Sequence, residues 1–107
     1  MTDATVIIAA WNAAGTISKS VNSALAQQSV SAQVVVVDDA SDDSIAASLP
    51  DRKEILLHRL EENGGPAAAR NAALDLAQGN WVCVLDSDDT MLPGRLAGMI
   101  PMAERAG

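Results

Sequence analysis

Four short apolar runs, each followed by polar residues, alternate along this sequence with stretches of helical periodicity. The runs cover residues 5–9, 34–37, 55–57 and 81–85. The second run contains only valine, which predicts a strand that is covered on both faces. The stretch after the first run carries apolar residues at helical spacing, namely Ile17, Val21, Ala24 and Leu25. Strands joined by helices of this length indicate βαβ crossovers. The expected fold class is therefore α/β, with a doubly wound, mainly parallel sheet of about four strands and flanking helices.

Capping and turn residues predict where the other helices begin and end. Ser41 or Asp42 is expected to cap a short helix after the second strand. Pro66 suits the first turn of a helix after the third strand, and Gly79 is a plausible C-cap for that helix. Pro93 is expected to open a last helix.

Length and composition exclude several classes of protein. At 107 residues the chain is one small domain or part of a larger one. Its formal charge of −7 comes from 7 basic and 14 acidic residues, without the basic stripe of a nucleic-acid-binding protein, so no nucleic-acid partner is expected. The one cysteine, Cys83, lies in an apolar run and is interpreted as a reduced core residue of a cytoplasmic protein. The sequence has no signal peptide or long apolar span, so membrane contact is expected only through sequence that is not present here.

Acidic residues cluster directly after the fourth apolar run, at Asp86, Asp88 and Asp89. Neighbouring anions repel one another and lose hydration energy if they are buried unpaired, so packing does not explain this strand end. On an extended segment Asp86 and Asp88 point the same way, about 7 Å apart along the chain. That placement suits a shared divalent cation, or one residue on a metal and the other on a ligand hydroxyl. Oxygen-only donors favour Mg²⁺ or Mn²⁺. A solvated turn or a helix N-cap is the alternative interpretation.

Every polar cluster in the sequence follows a predicted strand. The clusters are Trp11-Asn12, Asp38-Asp39, residues 62–66 and residues 86–89. In a parallel sheet the carboxyl ends of the strands meet at one edge, and ligands bind in the crevice there. We therefore expect the four clusters to converge on one ligand site.

The same clusters carry a resemblance to a known family. VIIAAWN at 6–12, VVDDAS at 36–41, NGGPAAARN at 63–71 and DSDD at 86–89 stand in this order over nearly the whole chain. Together they resemble the nucleotide-sugar half of a family 2 glycosyltransferase with the GT-A fold, whose donor half is Rossmann-like. The resemblance implies that residues 1–107 are the nucleotide-diphospho-sugar-binding part of a glycosyltransferase domain whose acceptor-binding half is absent.

The resemblance also implies roles for residues that bind the nucleotide. Trp11 matches an aromatic residue that stacks on the donor's base, with a core tryptophan as the alternative. Asp39 matches an aspartate that accepts a hydrogen bond from a base N–H, which favours uracil or thymine over cytosine. Asp38 could contact the ribose or cap the following turn. Arg70 matches an arginine that holds the nucleotide, with a structural ion pair to an aspartate of the site as the alternative.

At the acidic cluster, the resemblance assigns Asp86 to the ribose side of the donor and Asp88 to a Mg²⁺ or Mn²⁺ ion, a task that Asp89 could share. Family 2 enzymes are inverting and need a carboxylate base. The resemblance places that base beyond Gly107, and His58 is a poor substitute. The chain is thus expected to be incomplete and inactive alone.

The whole protein is expected to be a hexosyltransferase of polysaccharide biosynthesis. It would transfer sugar from a nucleoside-diphosphate sugar, expected to be a UDP-sugar, to a saccharide or lipid-linked acceptor. Its expected location is the cytoplasm, at the inner face of the membrane in a full-length protein.

Two other interpretations stay open at this point. A phosphoacceptor receiver domain also places two acidic residues after one strand and one after a later strand. Asp38 and Asp39 could be the pair, and Asp86 the later residue. A receiver begins with its acidic strand, however, and needs a lysine after its last strand, whereas no lysine follows Lys53. A sugar-nucleotide nucleotidyltransferase would show a glycine-rich basic loop after the first strand, and residues 9–15 contain no basic residue.

Overall fold

Strands and helices alternate through the computed structural model, which describes residues 3–106. The elements in chain order are β1 (Ala4–Ala10), α1 (Ile17–Leu25), β2 (Ala32–Asp38), α2 (Ile45–Ser48), β3 (Ile55–Arg59), α3 (Gly65–Leu76), β4 (Trp81–Val84) and α4 (Arg95–Ala106). The predicted α/β class is confirmed, and each predicted strand is found within three residues of its expected bounds.

The four strands form one parallel sheet in the order β3-β2-β1-β4. The chain moves outward from β1 to β2 and β3, and then returns to place β4 on the other side of β1. Ile7 of β1 is therefore in register with Val35 on one side and Val84 on the other. This reversal of strand order makes the carboxyl ends of β1 and β4 a topological switch point, where open α/β sheets bind their ligands.

The core has two parts, one on each face of the sheet. Alternate residues of β1 and β2 face α1, and the others face α3. Val34, Val35, Val36 and Val37 are all 0% exposed, which confirms that β2 is covered on both faces. On the α3 face the fully buried helix residues are two alanines, Ala69 and Ala73, with the partly buried Ala72 and Leu76 beside them. The small side chains of the two buried alanines allow the helix to lie close to the sheet, so the loop before α3 stays near the ends of the strands.

Two of the predicted helix ends are wrong, whereas Pro66 lies in the first turn of α3 as expected. Ser44, and not Ser41 or Asp42, caps α2, because its Oγ accepts a hydrogen bond from the Ala47 N–H at 3.3 Å. Gly79 is not the C-cap of α3, a position that Ala77 occupies. It lies against β1 instead, where a Cβ atom would come within 2.5 Å of the Ala4 carbonyl carbon.

The last helix begins at Arg95, two residues after Pro93. The Pro93 carbonyl accepts a hydrogen bond from the Gln28 N–H at 2.8 Å, which ties the entry of α4 to the end of α1. Cys83 is a buried free cysteine on β4, as expected. In residues 3–106 no helix combines the length and the apolar character that crossing a membrane requires.

Candidate active site

The loops after all four strands line a single cleft at the carboxyl edge of the sheet. Its volume is about 790 Å³. The polar or aromatic side chains that line it are Trp11, Asn12, Thr16, Asp39, Asp42, Asn63, Arg70, Asp86, Ser87 and Asp88. The expected convergence of the polar clusters is therefore found. The cleft spans the switch point, since it includes the loops after both β1 and β4.

Hydrogen bonds join the loop after β1 to the loop after β2. The Asn12 N–H donates to Ser41 Oγ at 2.9 Å, and the Asp42 N–H donates to Asn12 Oδ1 at 2.8 Å. Asn12 has a φ of 51°, a left-handed conformation that asparagine tolerates better than most residues. Trp11 stands beside this junction and is 57% exposed. It lines the cleft, so the alternative of a core tryptophan is wrong.

Asp38 points away from the cleft and stabilises the turn that follows β2. Its Oδ1 accepts a hydrogen bond from the Ser41 N–H at 2.9 Å, and its Oδ2 pairs with Arg59 Nη1 at 2.7 Å. Arg59 also donates to the Ser41 carbonyl at 3.0 Å. Asp38 is therefore the cap of the following turn, one of its two expected roles. Sequence reasoning missed Arg59, which the parallel register of β2 and β3 sets opposite Asp38.

Asp39 lines the cleft and also caps α3. Its two carboxylate oxygens accept hydrogen bonds from the Gly64 N–H at 2.7 Å and the Gly65 N–H at 2.9 Å. A carboxylate at a helix N-terminus satisfies free N–H groups and interacts favourably with the helix dipole. Gly65 has a φ of +88°, which only glycine adopts easily. Each carboxylate oxygen can accept a second hydrogen bond, so this cap leaves Asp39 able to bind a ligand.

Arg70 brings a positive charge to the cleft from α3. Its side chain is exposed and lines the cleft. Within residues 3–102 the ion pairs are Arg52–Glu54 and Arg59–Asp38, so Arg70 does not pair with an aspartate of the site. The hydrogen bond from Arg52 lowers the pKa of Glu54, on a surface away from the cleft.

The three carboxylates after β4 form a cluster. One oxygen from each of Asp86, Asp88 and Asp89 lies within 4.8 Å of the others, and all three residues are exposed. The expectation that Asp86 and Asp88 lie on an extended segment is wrong, because the strand ends at Val84 and the chain then turns. The Asp89 N–H donates to the Asp86 carbonyl at 3.0 Å, and this turn brings Asp89 into the cluster. At about 4 Å, two like charges in water repel by roughly 1 kcal/mol. A cluster of oxygen-only donors suits a hard divalent cation such as Mg²⁺ or Mn²⁺.

Known proteins resemble this chain over nearly its whole length. The family model described as "Glycosyl transferase family 2" matches residues 5–107. The succinoglycan biosynthesis protein ExoO of Rhizobium meliloti is 48% identical over 98% of the chain, which covers 31% of that protein. WfaP of Escherichia coli, named UDP-Glc:alpha-D-GlcNAc-diphosphoundecaprenol beta-1,3-glucosyltransferase, is 34% identical over 92% of the chain and 40% of its own length. The chain thus spans about a third of the length of such relatives.

Solved structures show the same fold. TarS of S. aureus, in complex with UDP-GlcNAc, superposes with a TM-score of 0.83 at 30% identity, over 97% of this chain and 32% of that one. The mannosyltransferase PcManGT from Pyrobaculum calidifontis, in complex with GDP-Man and Mn²⁺, has a TM-score of 0.77 at 30% identity, over 88% and 30% of the two chains. The predicted GT-A fold is therefore confirmed.

Proposed function

The chain belongs to glycosyl transferase family 2, and on that premise we propose that residues 1–107 are the donor-binding part of an inverting, metal-dependent glycosyltransferase that uses a UDP-sugar. The observation that carries this proposal is the single cleft formed by all four strand ends. The Asp39 loop follows β2 and the acidic cluster follows β4, with β1 between them. These ends lie two strand spacings apart, about 10 Å. A nucleoside diphosphate can span that distance, with its base beside β2 and its phosphates beside β4.

Trp11 and Asp39 are proposed to bind the base. The exposed ring of Trp11 offers a flat apolar surface for stacking at the wall of the cleft. Asp39 is held in place by the two glycine N–H groups, so its remaining lone pairs can accept the imide N–H of uracil. The name of WfaP specifies UDP-Glc, and TarS was solved with UDP-GlcNAc. PcManGT was solved with GDP-Man, so this fold alone does not impose uracil.

Arg70 and the acidic cluster are proposed to hold the ribose and the diphosphate. The guanidinium of Arg70 can donate two parallel hydrogen bonds to a phosphate. Asp86 lines the cleft and is assigned to the ribose hydroxyls. Asp88 and Asp89 are assigned to a Mg²⁺ or Mn²⁺ ion, which fits their oxygen-only donor set. When bound, such an ion offsets the negative charge that develops on the departing diphosphate. The Mn²⁺ in the PcManGT complex supports this assignment.

The acceptor side of the reaction is proposed to depend on sequence outside these residues. An inverting transfer needs a general base that removes the proton of the acceptor hydroxyl. We assign that base, and the pocket for a saccharide or lipid-linked acceptor, to a part of the protein that follows Gly107. The name of ExoO supports a role in polysaccharide biosynthesis, and that of WfaP, which specifies a diphosphoundecaprenol-linked sugar, supports a lipid-linked acceptor. We propose the cytoplasmic face of the membrane as the location of the whole protein.

A comparison of donor hydrolysis and nucleotide binding tests this proposal. The 107-residue chain is expected to bind UDP more tightly than GDP or CDP in Mn²⁺, and to hydrolyse UDP-glucose only at the rate of the buffer. Loss of general-base catalysis alone typically removes 10²–10⁴-fold in rate. Turnover well above the buffer rate would place a base inside these residues, with Asp42 and Asp89 the first to substitute. Equal affinity for UDP and CDP would contradict the role of Asp39.

A further inference from the structure

Four polar residues on and beside α1 face the segment that carries the acidic cluster. They are Thr16, Ser20, Ser23 and Gln27, and we refer to them as the α1 stripe. Their spacing of four, three and four residues places them on one side of the helix. Ser20 is 0% and Gln27 is 8% exposed, so this side is covered. In sequence they read only as the polar residues between the apolar positions of an amphipathic helix.

Ser20 is the member of the α1 stripe that contacts the acidic loop most extensively. Three carbonyl oxygens surround its hydroxyl and compete for its single proton: that of Asp86 at 3.5 Å, that of Ser87 at 2.9 Å and that of Asp89. Thr16 Oγ1 donates to the same Ser87 carbonyl at 2.9 Å. The backbone of residues 86–89 therefore wraps around one buried hydroxyl group.

The rest of the α1 stripe holds the chain that follows the cluster. Ser23 Oγ accepts a hydrogen bond from the Met91 N–H at 2.9 Å. Gln27 Nε2 donates to the Leu92 carbonyl at 2.9 Å, and its Oε1 accepts from the Leu96 N–H at 2.9 Å. Side chains on and beside α1 thus hold the backbone at several points between residues 86 and 96.

These hydrogen bonds go to the backbone of the loop and leave its carboxylates exposed. Without such a hold, mutual repulsion would spread the three carboxylates apart. We propose that Ser20 is a positioning residue for the divalent cation: its buried hydroxyl fixes the backbone turn that gathers the carboxylates of Asp86, Asp88 and Asp89 before the ion arrives. This inference rests on the proposed metal-dependent function.

Prior ordering of the loop affects both the affinity for the ion and the choice of ion. A ligand site that is already ordered does not lose conformational entropy when it binds. Mg²⁺ demands near-ideal octahedral geometry, whereas Ca²⁺ accepts irregular and variable coordination. A loosened turn should therefore weaken Mg²⁺ more than Ca²⁺, a change in selectivity that a general loss of stability would not produce.

The experiment measures UDP affinity of the 107-residue chain by calorimetry in Mg²⁺, in Ca²⁺ and in chelator. The variants are Ser20→Ala, Asp88→Ala and, as a matched control on the exposed side of α1, Asn22→Ala. Ser20→Ala is expected to reduce the Mg²⁺-supported gain in affinity roughly three- to tenfold, in line with the loss of one hydrogen bond. Its affinity in chelator should not change, and its gain in Ca²⁺ should fall less. Asn22→Ala should match the wild type.

The outcomes separate this inference from the proposed function. A Mg²⁺ gain that survives Ser20→Ala, or an equal loss in Mg²⁺, Ca²⁺ and chelator, would overturn the positioning role while the metal site stands. If the Mg²⁺-supported gain in UDP affinity persists in Asp88→Ala, the proposed metal site itself is contradicted. If Ser20→Ala does not fold, Thr16→Val is the second variant. Thr16 is exposed, and its hydroxyl is the other donor to the Ser87 carbonyl. That variant should shift the ratio of Mg²⁺ to Ca²⁺ affinity in the same direction, and an unchanged ratio would overturn the inference.

Discussion

The two acidic loops of the cleft are held in opposite ways. Asp38 and Asp39, after β2, are 3% and 4% exposed, and their carboxylates accept hydrogen bonds from the backbone and from Arg59. Asp86, Asp88 and Asp89, after β4, are exposed. There the hydrogen bonds from α1 reach the backbone carbonyls and not the carboxylates.

This difference separates carboxylates that the protein already fixes, of which Asp39 keeps lone pairs for a ligand N–H, from carboxylates that remain free to bind a cation. Asp38 and Asp39 hold a turn and a helix end, so their negative charge is already compensated within the protein. The cluster after β4 keeps three charges that the described residues leave uncompensated by ion pairs. Substitutions in the two loops should therefore change different properties of the protein.

The largest effect is expected on stability, from Asp38→Ala. This substitution removes the cap of the turn after β2 and the partner of Arg59. We expect a loss of about 2–3 kcal/mol in the free energy of unfolding, typical of a buried carboxylate with two hydrogen-bonding partners. The melting temperature should fall by roughly 10–20 °C. Circular dichroism during heating measures it, and a melting temperature within a few degrees of the wild type would contradict the structural role.

Asp39→Ala should have the largest effect on nucleotide affinity. A hydrogen bond to a charged acceptor is worth about 1.5–3 kcal/mol, or roughly one to two decades in affinity. UDP titrations, at a temperature where both variants are folded, should show a greater loss for Asp39→Ala than for Asp38→Ala. If Asp38→Ala weakens UDP binding more, the assignment of the base contact is off by one residue.

Arg59→Gln divides the contribution of Asp38 into its two parts. The Arg59 side chain is 55% exposed, so solvent screens its ion pair with Asp38. We expect a cost of about 1 kcal/mol or less by urea unfolding, well below that of Asp38→Ala. Equal costs for the two variants would mean that the ion pair, and not the cap on the Ser41 N–H, dominates the stability of this turn.

Asp88→Asn should give the smallest effect, of opposite sign to Asp38→Ala. Removing one of three clustered charges relieves repulsion that is worth at most about 1 kcal/mol per pair in water. In chelator at low ionic strength the melting temperature should rise slightly or stay unchanged. Asp75→Asn, on the exposed surface of α3, is the control for net charge. A clear fall in melting temperature for Asp88→Asn alone would show that this carboxylate is structural.

The strands were predictable from sequence because their pattern is local. Four valines in a row read as a doubly covered strand, and residues 34–37 are indeed fully buried. Helix ends were less predictable, since residues distant in sequence compete for the same capping side chains. Ser41 accepts a hydrogen bond from Asn12 and donates one to Asp38, so Ser44 caps α2 in its place. Position 79 requires glycine because the backbone of β1 lies against it, and not because a helix ends there.

The residues that line the candidate site were predictable from sequence, but the residues that hold them in place were not. Trp11, Asp39 and Asp86 each follow a strand, so topology brought them to one cleft, whereas Arg70 reaches it from helix α3. The cap that Asp39 provides for α3 required the relative positions of two loops 25 residues apart. Arg59 and Ser20 act through contacts across 21 and 67 residues, which no local pattern reports.

Calorimetric titration of UDP into the wild-type chain, once with Mn²⁺ and once with chelator, tests the central claim most directly. We assign the uracil ring to a preformed acceptor, Asp39, and the diphosphate to a cation held by Asp88 and Asp89. We therefore predict weak UDP binding in chelator and tighter binding in Mn²⁺, with the gain abolished by Asp88→Ala and retained by Asp75→Asn. The same UDP affinity in Mn²⁺ and in chelator would contradict a metal role for the acidic cluster.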